Sequence, residues 1–180
     1  MLNVFIITGL SGSGKTTAIQ AFEDASFYCV DNMPIALLPK FLDLPLKENP
    51  DLKGLAFVMD IRSKDFVFEF GPGLQSINDL GFFPKIIFLE AGTETLLKRF
   101  SQTRRQHPVT QGKSLLESIE SEVKIMDEIK KLAHYKIDTS SMNVHQLKSK
   151  ILTLINNGNA GPDITKINIE LKFKDTLVRN

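Results

Sequence analysis

A glycine-rich stretch near the start of the chain constrains its fold more than any other feature. The stretch is Gly9-Leu10-Ser11-Gly12-Ser13-Gly14-Lys15-Thr16, which fits the pattern G-x-x-x-x-G-K-[ST]. An apolar run, Met1 to Thr8, precedes it, and a segment without Gly or Pro, Thr17 to Ala25, follows it. Glycines at such a junction let backbone N–H groups curl around phosphate oxygens, and the helix N-terminus adds partial positive charge. The sequence therefore predicts a strand, a phosphate-binding loop and a helix, with every residue from Gly9 to Thr16 at a nucleotide.

Two side chains at the end of this loop have predicted roles at a nucleoside triphosphate. Lys15 is expected to be a mobile, solvent-facing cation for the β- and γ-phosphates. The Thr16 hydroxyl is expected to be a ligand of the accompanying Mg²⁺. The predicted cofactors are a nucleoside triphosphate and Mg²⁺.

A phosphate-binding loop of this kind needs an acidic partner from the end of a neighbouring strand. Asp60 follows the apolar run 55–59 and is the predicted second magnesium residue, with capping of the next loop as the alternative. Asp31 ends another apolar run and is followed by Asn32 and Pro34. It is a candidate for holding a second ligand or an attacking water, and equally a candidate for holding the turn.

A basic stretch without acidic residues runs from Lys98 to Leu116. Its Arg99, Arg104 and Arg105 are candidates for stabilising charge on a transferred phosphoryl group, with Arg104 and Arg105 on a mobile connection that ends at Gly112. The alternative is a solvated basic helix end, where cations are also favoured.

Strand and helix patterns alternate along the chain, which is typical of a parallel sheet. The strand candidates are Asn3–Thr8, Phe27–Asp31, Gly54–Asp60, Lys85–Ala91 and Tyr135–Thr139. The helix candidates are Lys15–Asp24, Ile35–Leu44, Ser63–Leu80, Thr93–Arg105, Ser114–His134 and Asn143–Asn156. Thr93 and the pair Asn143 and Gln146 are expected N-caps, and Gly71-Pro72-Gly73 is expected to break the third helix. The predicted fold class is α/β: a P-loop NTPase-type parallel sheet of five strands, helices on both faces and a kinase-like lid.

Length and composition favour one domain followed by a tail. The chain has 180 residues, of which 42% are hydrophobic, enough for one core. We expect residues 1–157 to form the domain, and residues 158–180 to be a linker followed by a strand-like segment. No apolar run reaches the length of a membrane span and no secretory signal is evident, so the expected location is cytoplasmic and away from membranes. The single cysteine, Cys29, is expected to be a small buried apolar residue.

Several further strings narrow the identification. They are Phe27-Tyr28-Cys29-Val30-Asp31-Asn32-Met33-Pro34, Asp60-Ile61-Arg62-Ser63, Phe88-Leu89-Glu90-Ala91, Thr103-Arg104-Arg105-Gln106-His107-Pro108 and Ile137-Asp138-Thr139-Ser140. Together with residues 9–18, the chain resembles the RapZ family of bacterial nucleotide-binding proteins, the RNase adapter proteins, over residues 1 to about 157. The resemblance implies binding and hydrolysis of ATP and GTP, with Gly9–Thr16 as the ATP loop and Asp60, Ile61, Arg62 and Ser63 as the GTP segment. No N-K-x-D motif is present, so the residues themselves leave the choice of base open.

Members of that family carry a second, C-terminal domain of comparable size, associated in some of them with small regulatory RNA and an amino-sugar phosphate. Here Gly158 to Asn180 stands in its place, so we expect a piece of a longer protein, and the RNA binding that the resemblance implies is not carried over to this chain. Expected partners are nucleotide and a regulatory protein, and a homo-oligomer stays open. Three classes of function remain: a nucleotide-hydrolysing adaptor, which we favour, a small-molecule or nucleotide kinase, and a pure nucleotide-binding module.

Overall fold

Parallel strands form the centre of the computed structural model, which describes residues 3–44, 52–61, 66–103, 107–108, 112 and 114–157. The strands are β1 (Asn3–Gly9), β2 (Tyr28–Val30), β3 (Gly54–Val58), β4 (Lys85–Glu90) and β5 (Tyr135–Asp138). They lie in the order β2-β3-β1-β4-β5, and every neighbouring pair is parallel. The predicted five-stranded parallel sheet is therefore confirmed, with β1 at its centre.

Helices connect the strands along the chain. They are α1 (Lys15–Asp24), α2 (Leu38–Leu42), α3 (Phe66–Asp79), α4 (Thr93–Ser101), α5 (Leu115–Leu132) and α6 (Val144–Asn157). A turn of 3₁₀ helix, Ile35–Leu37, directly precedes α2, so the predicted helix 35–44 is divided in two. Among the described residues, none of the helices combines the length and the apolar character that a membrane span needs.

Both faces of the sheet are covered, because successive strand residues point to opposite sides. Ile7 of β1 packs with α1 and α6 on one face, whereas its neighbour Ile6 packs with α2 to α5 on the other. Carboxyl ends of parallel strands meet at one edge of a sheet, and the predicted site residues follow three of these ends. The topology therefore places them together.

The predicted helix ends have two different outcomes. The pair at the start of α6 is confirmed, since the Asn143 N–H donates to Gln146 Oε1 and the Gln146 N–H donates to Asn143 Oδ1, each at 2.9 Å. The prediction for Thr93 is wrong because the N-cap of α4 is Gly92, whose backbone is extended and whose N–H donates to Ser140 Oγ at 2.8 Å. The helix is thus capped one residue earlier than predicted, where Ser140, in the turn that follows β5, offers an acceptor.

The predicted break at Gly71-Pro72-Gly73 is also wrong, because α3 continues through Pro72. A proline inside a helix removes one N–H and crowds the preceding turn. Packing outweighs that cost here: Phe70 is fully buried, and a Cβ on Gly73 would lie 2.4 Å from Ile35 Cγ1, so this turn lies directly against the 3₁₀ segment.

Three sequence predictions fall outside the described residues. They are the tail 158–180, most of the connection 104–112, and the kinase-like lid that this connection was expected to form. Of that connection the structure describes His107, which is buried, and Pro108 and Gly112, which are exposed.

Candidate functional site

The glycine-rich loop leaves the sheet at the end of β1 through a backbone conformation that favours glycine. Gly9 has φ 136°, and a Cβ there would lie 2.0 Å from the Leu89 carbonyl oxygen on β4. Gly14, at the start of α1, has φ 104°. We call Leu10–Ser13 the leading arm of the loop and Gly14–Thr16 its trailing arm.

A cleft of about 520 Å³ lies beside this loop at the carboxyl edge of the sheet. Its lining comes from both arms, from the ends of β2 and β3, and from α4: Ser11, Gly12, Gly14, Lys15, Thr16, Asp31, Val58, Asp60, Arg99, Phe100, Thr103 and Pro108. The structure therefore brings together the loop, both predicted carboxylates and one predicted arginine. The volume lies in the range of small-molecule sites.

Lys15 is buried within this cleft rather than facing solvent. Its side chain is 9% exposed, and Nζ donates to the carbonyl oxygens of Gly9, at 2.9 Å, and Leu10, at 3.0 Å. The Asp60 carboxylate lies 3.0 Å from the same Nζ. The expectation of a solvent-facing side chain is wrong, because a buried ammonium is stabilised by acceptors that its own loop and β3 supply.

The backbone N–H groups of the trailing arm are available to a ligand in the cleft. Helix α1 begins at Lys15, and its N-cap residue, Gly14, has no side chain to cap the first turn. The first N–H groups of a helix lack acceptors within the helix, so this end attracts anions. Thr16, in this first turn, is exposed. Asp31, at the end of β2, is also exposed, and both residues line the cleft.

The guanidinium group of Arg99, on α4, donates hydrogen bonds to other residues of the chain. Its Nη1 donates to the Gly12 carbonyl and to Thr139 Oγ1, both at 3.0 Å, and its Nη2 donates to the Thr139 carbonyl at 2.7 Å. The buried Thr139 hydroxyl lies 2.8 Å from the Ser13 carbonyl oxygen. Arg99 therefore ties the leading arm to the end of β5 while it lines the cleft.

Glu122 of α5 holds the leading arm from another side, and sequence reasoning missed it. The Ser11 N–H lies 3.0 and 3.1 Å from its two carboxylate oxygens, and the Ser11 hydroxyl donates to Oε1 at 2.7 Å. His107 Nε2 lies 3.0 Å from Oε2, and neither of these two side chains is exposed. One signal was available: Glu122 shares the buried stripe of α5 with Ile119 and Met126, where a charged residue is rare.

The remaining predicted site residues lie away from the cleft or outside the described part of the chain. Leu10 and Ile61 have side chains in the core, so only their backbone can face a ligand. Arg62, Ser63, Arg104 and Arg105 are outside the described residues. Cys29 is half-buried, and burial beside Glu23 raises the pKa of its thiol to about 12, which fits the expected unreactive apolar role.

Known proteins match this chain along most of its length. The model of the RapZ-like N-terminal domain matches residues 2–159. A nucleotide-binding protein of Desulforapulum autotrophicum is 57% identical over 167 residues, which are 93% of this chain and 57% of that relative. One of Geobacter sulfurreducens is 44% identical over 150 residues, which are 83% of this chain and 53% of that relative. The chain thus spans about half the length of the curated relatives it matches.

Solved structures with the same fold include small-molecule kinases. The shikimate kinase of Acinetobacter baumannii in complex with shikimate has a TM-score of 0.59 at 19% identity, covering 89% of this chain and 97% of that one. A gluconokinase from Sinorhizobium meliloti has a TM-score of 0.51 at 11% identity, covering 86% and 92%. At these identities the likeness concerns the fold alone, which is the α/β fold of P-loop kinases. On the family match and these relatives, the chain belongs to the RapZ-like family.

Proposed function

We propose that this chain binds ATP or GTP in the cleft beside the glycine-rich loop, hydrolyses it slowly and acts as a regulatory adaptor. One observation carries the proposal: the trailing arm and the carboxylates of Asp31 and Asp60 line a single cleft. The relatives reported above are named nucleotide-binding proteins, which supports the same ligand class.

Phosphate binding begins with the donors of the trailing arm. The uncapped first turn of α1 offers backbone N–H groups and partial positive charge to phosphate oxygens. Lys15 already lies in the cleft, held by two carbonyl oxygens and Asp60. A phosphate oxygen carries more negative charge than a carbonyl, so Nζ would exchange a carbonyl contact for the phosphate and stay buried.

Magnesium fits the oxygen donors at the same place. The Thr16 hydroxyl and the Asp60 carboxylate are oxygen ligands of the type that Mg²⁺ prefers, and both line the cleft. When bound, Mg²⁺ neutralises charge on the phosphate oxygens. Asp60 would then contact both Lys15 and this ion.

Hydrolysis requires a water aligned with the terminal phosphate. Asp31 is exposed at the end of β2 and lines the cleft, so its carboxylate is our candidate for orienting that water. Arg104 and Arg105 remain candidates for charge stabilisation, by virtue of the basic stretch they lie in. The segment that begins with Asp60 and Ile61 remains the proposed GTP segment.

A kinase is the second candidate, and a specific feature favours it. A carboxylate at the end of β2, opposite a phosphate-binding loop, is placed to accept a proton from an acceptor hydroxyl just as from water. The fold shared with shikimate kinase and gluconokinase is compatible with that use. The distinction therefore lies in the acceptor, a hydroxyl compound or water.

Nucleotide binding and turnover test the proposal together. We would measure the affinity of ATP and GTP by calorimetry, and phosphate release with and without Mg²⁺. Slow phosphate release without any acceptor supports the hydrolysing adaptor, whereas binding without release leaves a pure binding module. Sugars, hydroxy acids and nucleosides would then be added as acceptors. If ADP or GDP forms faster with one of them and mass spectrometry finds a phosphorylated product, the kinase would replace the adaptor as the proposed function.

A further inference from the structure

We propose that Glu122 is a positioning residue for the nucleotide: through Ser11 it holds the leading arm in the shape that receives phosphates. Nothing in the nucleotide chemistry described above uses this side chain, which lies on α5 behind the loop. The inference rests on the proposed function and adds to it a determinant of nucleotide affinity outside the cleft lining.

Three hydrogen-bond donors surround the carboxylate of Glu122. The Ser11 N–H, the Ser11 hydroxyl and His107 Nε2 all approach its two oxygens, at 2.7 to 3.1 Å. Because a carboxylate only accepts hydrogen bonds, His107 donates from Nε2 in this arrangement. Two of the three donors belong to the loop, and one of these is its backbone.

Packing alone does not account for a carboxylate at this position. Its neighbours along the same stripe of α5, Ile119 and Met126, are fully buried apolar residues. A buried charge costs several kcal/mol unless hydrogen bonds compensate it, and well-packed apolar residues often stabilise a fold equally well. What an apolar residue cannot do is fix the direction of the Ser11 N–H.

That direction matters for the rest of the loop. The Ser11 N–H is turned to Glu122 on α5, while Arg99 holds the next carbonyl, that of Gly12, from α4. The two contacts fix successive peptide groups of the leading arm, and the trailing arm starts directly after it. A loop that is ordered before binding loses less entropy on binding, so loosening this arm weakens nucleotide affinity.

The test compares Glu122→Gln with Glu120→Gln, a glutamate of the same helix that is exposed. Glutamine keeps the size of Glu122 but removes its negative charge, which weakens the hydrogen bonds that Ser11 donates. Because these hydrogen bonds order the loop before binding, we expect affinity for MgATP or MgGTP to fall roughly tenfold. Hydrogen exchange at the Ser11 amide of the ligand-free protein should speed up in parallel, and Glu120→Gln should match the wild type in both.

Two further variants link the effect to Ser11. Ser11→Ala removes the hydroxyl contact alone and should weaken affinity several-fold. In the double variant with Glu122→Gln the two losses should be less than additive, because both act on one contact. Ser11→Ala also decides the question should Glu122→Gln fail to fold, since wild-type affinity in Ser11→Ala would then overturn the inference.

The outcomes separate this inference from the proposed function. Wild-type affinity in a folded Glu122→Gln variant that only melts earlier would make Glu122 a structural residue and overturn the inference alone. A wild-type protein that binds neither nucleotide would overturn both. A loss of affinity with faster exchange at Ser11, absent from Glu120→Gln, would support the positioning role.

Discussion

The two arms of the glycine-rich loop differ in what fixes them. Contacts from other elements hold the leading arm, through its backbone, at four successive residues: Leu10 N–H to Leu89, Ser11 N–H to Glu122, Gly12 carbonyl to Arg99, and Ser13 carbonyl to Thr139. The backbone of the trailing arm begins α1, and no side chain caps it. The backbone of the leading arm therefore depends on the tertiary structure, whereas the trailing arm keeps its backbone N–H groups for a ligand.

This difference predicts two classes of variant. Changes in the trailing arm and its carboxylates should act on the chemistry of bound nucleotide. Changes in the residues that hold the leading arm should act on affinity, because they alter the order of the loop before binding.

Lys15→Ala, in the trailing arm, should have the largest effect of the series on turnover. It removes the ammonium expected at the phosphates, and turnover should fall by about 10²-fold or more. The fold should survive, because the remaining Asp60 carboxylate is 23% exposed and water can solvate it. Phosphate release under single-turnover conditions measures the loss.

Lys148→Ala is the matched control for Lys15→Ala. Lys148 pairs with Asp24 at 3.0 Å, the same distance as Lys15 and Asp60, but on the outer side of α1 and α6. It should keep wild-type turnover. Equal phosphate release from a folded Lys15→Ala variant would place the activity outside this loop.

Arg99→Ala should break the leading arm. It removes three hydrogen bonds to Gly12 and Thr139, so nucleotide affinity should fall about tenfold with a smaller change in the rate of bound nucleotide. Calorimetry and single-turnover rates separate the two quantities, and Lys98→Ala, which removes an exposed charge from the same helix, is the control. If turnover collapsed at unchanged affinity, Arg99 would instead be an arginine that stabilises the transition state.

Asp60→Asn tests the carboxylate that contacts the trailing arm, as a proposed magnesium ligand. The change keeps the shape and removes the charge, so the Mg²⁺ concentration for half-maximal turnover should rise about tenfold, while binding without metal changes little. Magnesium titrations at fixed nucleotide measure it, with Asp24→Asn as the control. Overlaying titration curves for Asp60→Asn and the wild type would remove Asp60 from the proposed metal site.

Asp31→Asn should have the smallest effect of the series. Asp31 is exposed, so neither folding nor affinity should change, and turnover should fall several-fold if the carboxylate orients water. Asp43→Asn, exposed but not among the cleft residues, serves as the control. Unchanged phosphate release would leave Asp31 with only the role of holding its turn.

The sequence was sufficient for those features that local patterns determine. The loop pattern and the apolar runs predicted every strand to within two residues, and α1 begins and ends at the predicted residues. Asp31 and Asp60 were found because a residue that ends a parallel strand must lie at the shared edge of the sheet.

Features that depend on distant contacts were not predictable. Glu122 lies 111 residues after Ser11, and no spacing rule connects a helix stripe to a loop so far away. The burial of Lys15 and the continuation of α3 through Pro72 have the same origin: tertiary contacts outweighed the local preference of the residue. The resemblance to the family drew attention to the residues around His107, but it did not predict that His107 contacts Glu122.

The close approach of α6 to the loop limits how short a functional form of this domain can be made. A Cβ on Gly14 would lie 2.8 Å from Leu147 Cδ2, so α6, the last element of the described chain, forms the wall behind the first turn of α1. A truncation that ends before Val144 would retain every strand and every residue of the nucleotide pattern, yet it would expose the back of that turn to water. A minimal nucleotide-binding unit therefore requires residues far downstream of the motif by which it is recognised.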